Sequence, residues 1–409
     1  MNRPAAPSPA RPGTALLLTG GGARAAYQVG VLQALAALRR HGEPAHRGSP
    51  FDIIVGTSAG AMNAAAVATG ADHFSHAVAR LSRIWRGFHA AQVYRADALD
   101  AARAGARWIR LLSMGWALAR SARLQPYSLL DNQPLRRLLQ AHLPFERLPQ
   151  LLAGGHLRGF AVTASSYVSG EHVTFYDAID DMQDWARAQR RAVRARIGVE
   201  HLMASAAIPF IFPAARLSVD DRTAYYGDGS MRQMAPIAPV IHLGAERVFV
   251  VGAGRAHQPA VATDPHAGDY PTLAQVAGHA LSAIFLDTLA SDVERLQRVN
   301  HTLSLVPPAQ RGQTRLRHIE LLAITPSQRL DELAGRHLHA LPQAAQALLG
   351  ILGERDNVHD ERNAALASYL LFESGYTRAL MALGRADALA QRAAICQFFG
   401  WRHRPGDVG

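Results

Sequence analysis

Apolar residues near the start of the chain fall in two short runs separated by one periodic stretch. Ala15-Leu-Leu-Leu-Thr19 is bounded by glycines and reads as a buried strand. From Ala25 to Arg40 the apolar positions recur at helical spacing (Val29, Leu32, Leu35, Ala36, Leu38), and Gly42 and Pro44 end the helix. Asp52-Ile-Ile-Val-Gly56 is a second buried strand, followed by a helix from Ser58 to Gly70. A strand, a helix and a strand in that order imply a parallel pair with a right-handed crossover. Further on, Ser75 to Arg123 reads as helical, Leu157 to Thr163 and Glu171 to Tyr176 as strands, and Leu217 to Tyr226 as a hairpin turning at Asp220-Asp221. Arg247 to Gly252 is another apolar strand, and from Leu273 the period is helical almost to the end. The pattern predicts an α/β unit over residues 14–254, a Pro/Gly/His-rich linker over 255–272, a helical region over 273–402 and a tail over 403–409.

Composition narrows the chemistry. Of 409 residues 49% are apolar, enough for a large core, and all 43 basic side chains are arginine. Without lysine there is no P-loop lysine, Schiff base or kinase-type ATP lysine. A lone cysteine, Cys396, excludes an internal disulfide and a cysteine-rich zinc site. The net charge of +11 fits an acidic partner or a scattered positive surface. No nucleic-acid-binding motif accompanies it, so nucleic acid is not an expected partner.

Two segments imitate membrane signals. The Pro-rich residues 1–13 read as disordered, and the apolar stretch after them, Ala15 to Leu18, is shorter than the roughly 7–15 residues of a secretory core. Ile53 to Ala71 approaches a membrane span in length, but its bulky residues lie only at the start, so it reads as strand, turn and helix. The expected location is the cytoplasm, with peripheral contact at a membrane. Arg103 to Arg123 would supply that contact: Arg103, Arg107 and Arg110 share one helical face, and Trp108, Leu111, Leu112 and Trp116 another.

Gly56-Thr57-Ser58-Ala59-Gly60 is G-x-S-x-G at a strand-to-helix turn. A nucleophile on so sharp a turn needs small neighbours, and the helix N-terminus favours a developing alkoxide. At the end of the preceding strand, Gly20-Gly21-Gly22-Ala23-Arg24 offers backbone N–H groups to an oxyanion. Gly20-x-Gly22-x-x-Ala25 also satisfies a dinucleotide pattern, but no acidic residue ends the next strand, where Ser58 follows instead. Nineteen histidines invite a metal, yet His73 and His76 lack a third ligand and no H-E-x-x-H occurs, so no metal or organic cofactor is expected. An α/β-hydrolase would need Ser, Asp and His in chain order, and nothing singles out His242, His257, His279 or His301.

Taken together, the glycine run with Arg24 and the G-T-S-A-G elbow resemble the patatin-like phospholipase family. The resemblance continues in Ala204-Ser205-Ala206-Ala207-Ile208-Pro209, similar to the family's S-x-A-x-P, and in Asp228-Gly229-Ser230, similar to its D-G-G/A. Ser368 to Glu373 looks like bacterial members with a helical extension. Ala25 and Ser230 depart from the commonest pattern by small replacements. The resemblance implies a three-layer α/β/α fold, a lipid acyl hydrolase, and a dyad of Ser58 as nucleophile with Asp228 as base. Gly20 to Arg24 would form the oxyanion hole, Arg24 either supporting the loop or steering a phosphate. The implied substrate is a phospholipid or another acyl-ester lipid. An acyltransferase or general esterase with the same dyad, or a non-catalytic lipid-binding scaffold, are the alternatives.

Overall fold

The computed structural model describes residues 13–95, 128–179, 182–219, 222–254, 287–342 and 364–402, with residues 276, 279, 283, 345 and 346 between them. Among the described residues ten strands form one sheet. In chain order they are β1 (Thr14–Leu18), β2 (Ile53–Thr57), β3 (Gly159–Ser166), β4 (His172–Ala178), β5 (Ala186–Arg187), β6 (Arg190–Arg194), β7 (Ala215–Val219), β8 (Arg222–Asp228), β9 (Arg247–Val251) and β10 (Glu320–Ile324). The main path runs β10-β9-β1-β2-β3-β4-β6-β5, with β8 on β3 and β7 on β8. From β10 to β3 every pairing is parallel.

The sheet divides two apolar cores. One lies under α1 (Ala26–Gly42), α2 (Ala59–Ala68), α3 (Phe74–Arg86) and α4 (Val199–Ser205). The other lies under α5 (Ala238–His242) and α6 (Asp287–Leu305). Every residue of β1 is buried, as its apolar run requires of a strand covered on both faces. The expected crossover is present, and the stretch that imitates a membrane span is β2, a turn and α2. Among the described residues no helix is long and apolar enough to cross a membrane.

The C-terminal segment is part of this core. Its helices α7 (Ala364–Leu370), α8 (Ser374–Ala390) and α9 (Arg392–Phe399) pack on the same face as α1. Buried Asp387 on α8 accepts the Tyr27 hydroxyl at 2.9 Å and the Ser327 N–H and hydroxyl at 2.9 and 2.6 Å, tying three segments to one carboxylate.

Two expected helical stretches differ from the structure. Residues 320–324, inside the stretch read as helical from Leu273, form β10 on the sheet edge beside β9. The four-residue apolar run Leu321 to Ile324 serves a buried strand as well as a helix, and only the vacant edge of β9 decides between them. The helix expected from Ser75 to Arg123 ends at Arg86, before Gly87. Arg103 to Arg123, the expected linker over 255–272, residues 1–12 and the tail over 403–409 lie outside the described residues.

Candidate active site

The sheet brings Ser58 and Asp228 together by an end-on meeting of two strands. Strand β2 runs parallel to β3 and ends with Thr57 opposite Thr163. Strand β8 runs antiparallel to β3 and ends with Asp228 opposite Ala164. Their C-terminal ends therefore lie one β3 residue apart, about 3.3 Å along the strand. Ser58 is the first residue beyond β2 and Asp228 the last of β8, so both side chains are delivered to one place.

Ser58 has φ 54° and ψ −130°, a conformation that a residue with a side chain adopts only under constraint. The constraint is steric. A Cβ on Gly60 would stand 2.3 Å from the Thr19 carbonyl oxygen, and one on Gly56 would stand 2.5 Å from the Ala61 Cα. With both glycines, α2 closes onto the end of β1 and turns Ser58 out of the strand. The Ser58 N–H donates to Ser205 Oγ at 2.8 Å, which holds the turn from the far side.

Asp228 is fully buried. Burial pushes its carboxyl from the ordinary 3.8 up to about 6; the Ser58 hydroxyl and the Ser230 N–H and hydroxyl pull the other way. Oδ1 accepts the Ser230 N–H at 2.9 Å, whereas Oδ2 has no hydrogen-bond partner of ordinary geometry among the described residues. The Ser58 hydroxyl thus lies near enough to lower the acid's pKa without closing a short bond.

The glycine loop occupies the same end of the sheet. The Arg24 N–H is bonded to the Gly21 carbonyl at 3.1 Å, so it is no free donor. The N–H groups of Gly21, Gly22 and Ala23 have no acceptor among the described residues. The Arg24 side chain is buried and turned to α7: its Nε donates to Ser368 Oγ at 2.8 Å, and its guanidinium lies 4.1 Å from the Tyr369 ring centre. That placement fits support of the loop, not steering of a phosphate.

Two groups of supporting residues carry no role in the sequence reading. The Ala207 carbonyl accepts the Asp228 N–H at 2.9 Å, so the segment over 204–209 grips both members of the pair, through Ser205 and Ala207. The resemblance marks this segment without giving it a function. Beneath the pair, the Gln233 side-chain amide donates to Thr57 Oγ1 at 2.9 Å, and Thr57 Oγ1 meets Thr163 Oγ1 at 2.7 Å. This buried chain fastens the end of β2 to the turn after Asp228. No motif announces Gln233, because its partner lies 176 positions away.

His242 is exposed, stacked on Trp185 with ring centres 4.9 Å apart, and α5 carries it away from Ser58. Among the described residues no group of histidines, cysteines and carboxylates could hold a metal ion.

The patatin-like phospholipase family matches residues 16–241. No curated protein matches the chain. Among solved structures, VipD from Legionella pneumophila is similar, at 13% identity over 91% of this chain and 67% of that one, with a TM-score of 0.34. A likeness at that score carries no argument about activity. The family match spans more than half of the sequence and includes the Ser58 elbow, the glycine loop and Asp228: the chain belongs to the patatin-like phospholipase family.

Proposed function

We propose that this protein is a serine lipid acyl hydrolase in which Asp228 is the base for Ser58. The observation that carries the reading is the convergence of a conformationally constrained serine with a fully buried carboxyl whose pKa is raised to about 6. An ordinary aspartate, near 3.9, is too weak a base at neutral pH; one near 6 is better matched to the task and still ionised. Asp228 takes the hydroxyl proton as Ser58 Oγ attacks the ester carbonyl. The N–H groups of Gly21, Gly22 and Ala23 would receive the oxyanion. Collapse expels the alcohol, which takes the proton from Asp228 and leaves an acyl-serine. Water, deprotonated by Asp228, then releases the fatty acid and restores both residues.

A fluorophosphonate probe, which mimics the tetrahedral oxyanion, is expected to label Ser58, as read by mass spectrometry of the modified peptide. Labelling of Ser58→Ala at the wild-type rate would overturn the assignment.

The surroundings of Asp228 support a lipid substrate. Tyr167, Val168, Tyr225 and Met234 are 48%, 76%, 55% and 74% exposed. They belong to the β3–β4 turn, to β8 and to the segment after Asp228; the Tyr167 N–H bonds the Tyr225 carbonyl at 3.0 Å. Partial burial and then the charge of Asp228 raise the pKa of the Tyr167 hydroxyl, which supports reading Tyr167 as a neighbour of Asp228. Large exposed apolar side chains beside a catalytic centre suit an acyl-lipid surface. Val168→Asp with Met234→Ser is expected to slow hydrolysis of vesicle phospholipid about tenfold, from lost apolar burial of about 1.4 kcal/mol. Hydrolysis of a soluble short-chain ester should stay within about twofold. Equal losses on both substrates would remove the rim from the lipid-binding role.

A further inference from the structure

A cleft of about 550 Å³ lies far from Ser58. It is bounded by α5, by α6 and by the segment Arg315 to Ile319, at the N-terminal ends of β9 and β10. Because β2, β1, β9 and β10 are parallel, Ser58, just beyond the C-terminal end of β2, sits at the opposite end of the sheet. The volume is in the range of small-molecule sites.

The lining is lopsided in charge. Arg187, Arg295, Arg315 and Arg317 face one carboxylate, Asp292. That carboxylate is buried and already engaged: Oδ2 accepts the Ile237 N–H at 2.8 Å, and Oδ1 is paired with Arg295. Arg187, Arg315 and Arg317 have no carboxylate partner among the described residues; Arg187 and Arg317 donate only to the backbone carbonyls of Ala186 and Ile241. His242 reports the resulting field: partial desolvation against the cleft wall, and then the charges of Arg187, Arg190 and Arg317, hold its imidazole below the ordinary 6.5.

The remaining surface is apolar. Ile241 and buried Leu296 line the cleft, and Leu316, 54% exposed, stands between the two arginines of its own segment. Unpaired guanidinium groups beside an apolar wall match an anion joined to a hydrocarbon body. Two or more arginines favour phosphate in particular, since the planar fork binds its oxygens in pairs.

We propose that this cleft is a second ligand site, for a phosphomonoester-bearing amphiphile, separate from the site of hydrolysis. Its ligand could be a lysophospholipid-type monoester or a free phosphate compound, and the probes separate the two. Octyl phosphate, below its micelle concentration, is titrated calorimetrically into the full chain alongside inorganic phosphate and glycerol 3-phosphate. The expected result is saturable binding of one octyl phosphate per chain, at least about tenfold tighter than either probe lacking the alkyl chain. Affinity should fall as salt rises.

Arg187→Gln with Arg315→Gln should weaken binding about tenfold or more, and Leu316→Ser should weaken octyl phosphate while leaving inorganic phosphate unchanged. All three side chains are exposed, so an unchanged circular dichroism spectrum is expected. Binding in Ser58→Ala should equal wild type, so the result stands whether or not Ser58 is the nucleophile. Affinity within about twofold in the arginine double variant, or no saturable octyl phosphate binding at millimolar concentration, would overturn the site. Equal affinity for inorganic phosphate would overturn its amphiphilic character.

Discussion

Asp228→Asn is expected to slow ester hydrolysis by roughly 10²–10⁴-fold, the usual cost of a lost general base, while making the protein more stable at neutral pH. Both effects follow from one cause. The carboxyl is fully buried and its pKa stands at about 6 instead of the ordinary 3.8. Only the ionised form can take the Ser58 proton, so kcat/KM of the wild type should rise with pH through about 6 and then level. The stability effect runs the other way. A folded-state pKa raised above the unfolded value means that the folded protein binds the proton more tightly. Stability therefore falls as pH rises from about 4 to about 6, and the full penalty, about 3 kcal/mol, persists above that window. The asparagine amide carries no such penalty. Denaturant titrations at pH 3.5 and pH 8 would show a near-zero difference from wild type at the acid end and a gain of up to about 3 kcal/mol at the basic end. A variant inactive but no more stable at pH 8 would contradict the raised pKa of the buried carboxyl; a variant with wild-type activity would remove Asp228 from the mechanism.

Gly22→Ala is expected to cost activity by about 10²–10³-fold, the loss that follows removal of one oxyanion donor, although it touches neither Ser58 nor Asp228. Gly22 has φ +55°, and a Cβ there would stand 2.3 Å from the Tyr369 carbonyl oxygen. That oxygen belongs to α7, whose Ser368 also holds Arg24. The loop has backbone on one side and its own strained conformation to maintain, so an added methyl group must push the N–H groups of Gly22 and Ala23 out of place. Fluorophosphonate labelling of Ser58 should slow by a similar factor, because the probe uses the same donors. Thermal denaturation should shift down by only a few degrees, since the two large cores are untouched. Full activity in Gly22→Ala would exclude this loop from oxyanion binding.

The C-terminal segment thus supports the glycine loop, and its sequence alone does not show this. Its helices follow from their apolar period. That α7 would lie against Gly22 does not, because the contact joins residues more than three hundred positions apart. The same limit hid β10. Leu321-Leu-Ala-Ile324 has no property that distinguishes a sheet edge from a helix until β9 is in place beside it.

Local structure is what the residue order dictates. The strand–turn–helix around Ser58 follows from apolar runs and from glycines two residues to either side, a demand that a single tight turn imposes on its nearest neighbours. The glycine loop at the end of β1 and the parallel β1–β2 pair follow on similar grounds. Only the resemblance singles out Asp228, since Asp-Gly is an ordinary turn pair. Its proximity to Ser58, its burial and its raised pKa were decided by the tertiary structure, when β2 and β8 met end to end along β3. So were the grip of Ser205 and Ala207 on the pair, the Gln233–Thr57–Thr163 chain, and the turning of Arg24 toward Ser368. Steric demands act over a few residues and leave their mark in spacing. Burial and electrostatics depend on which distant segments arrive, and only the packed sheet supplies that.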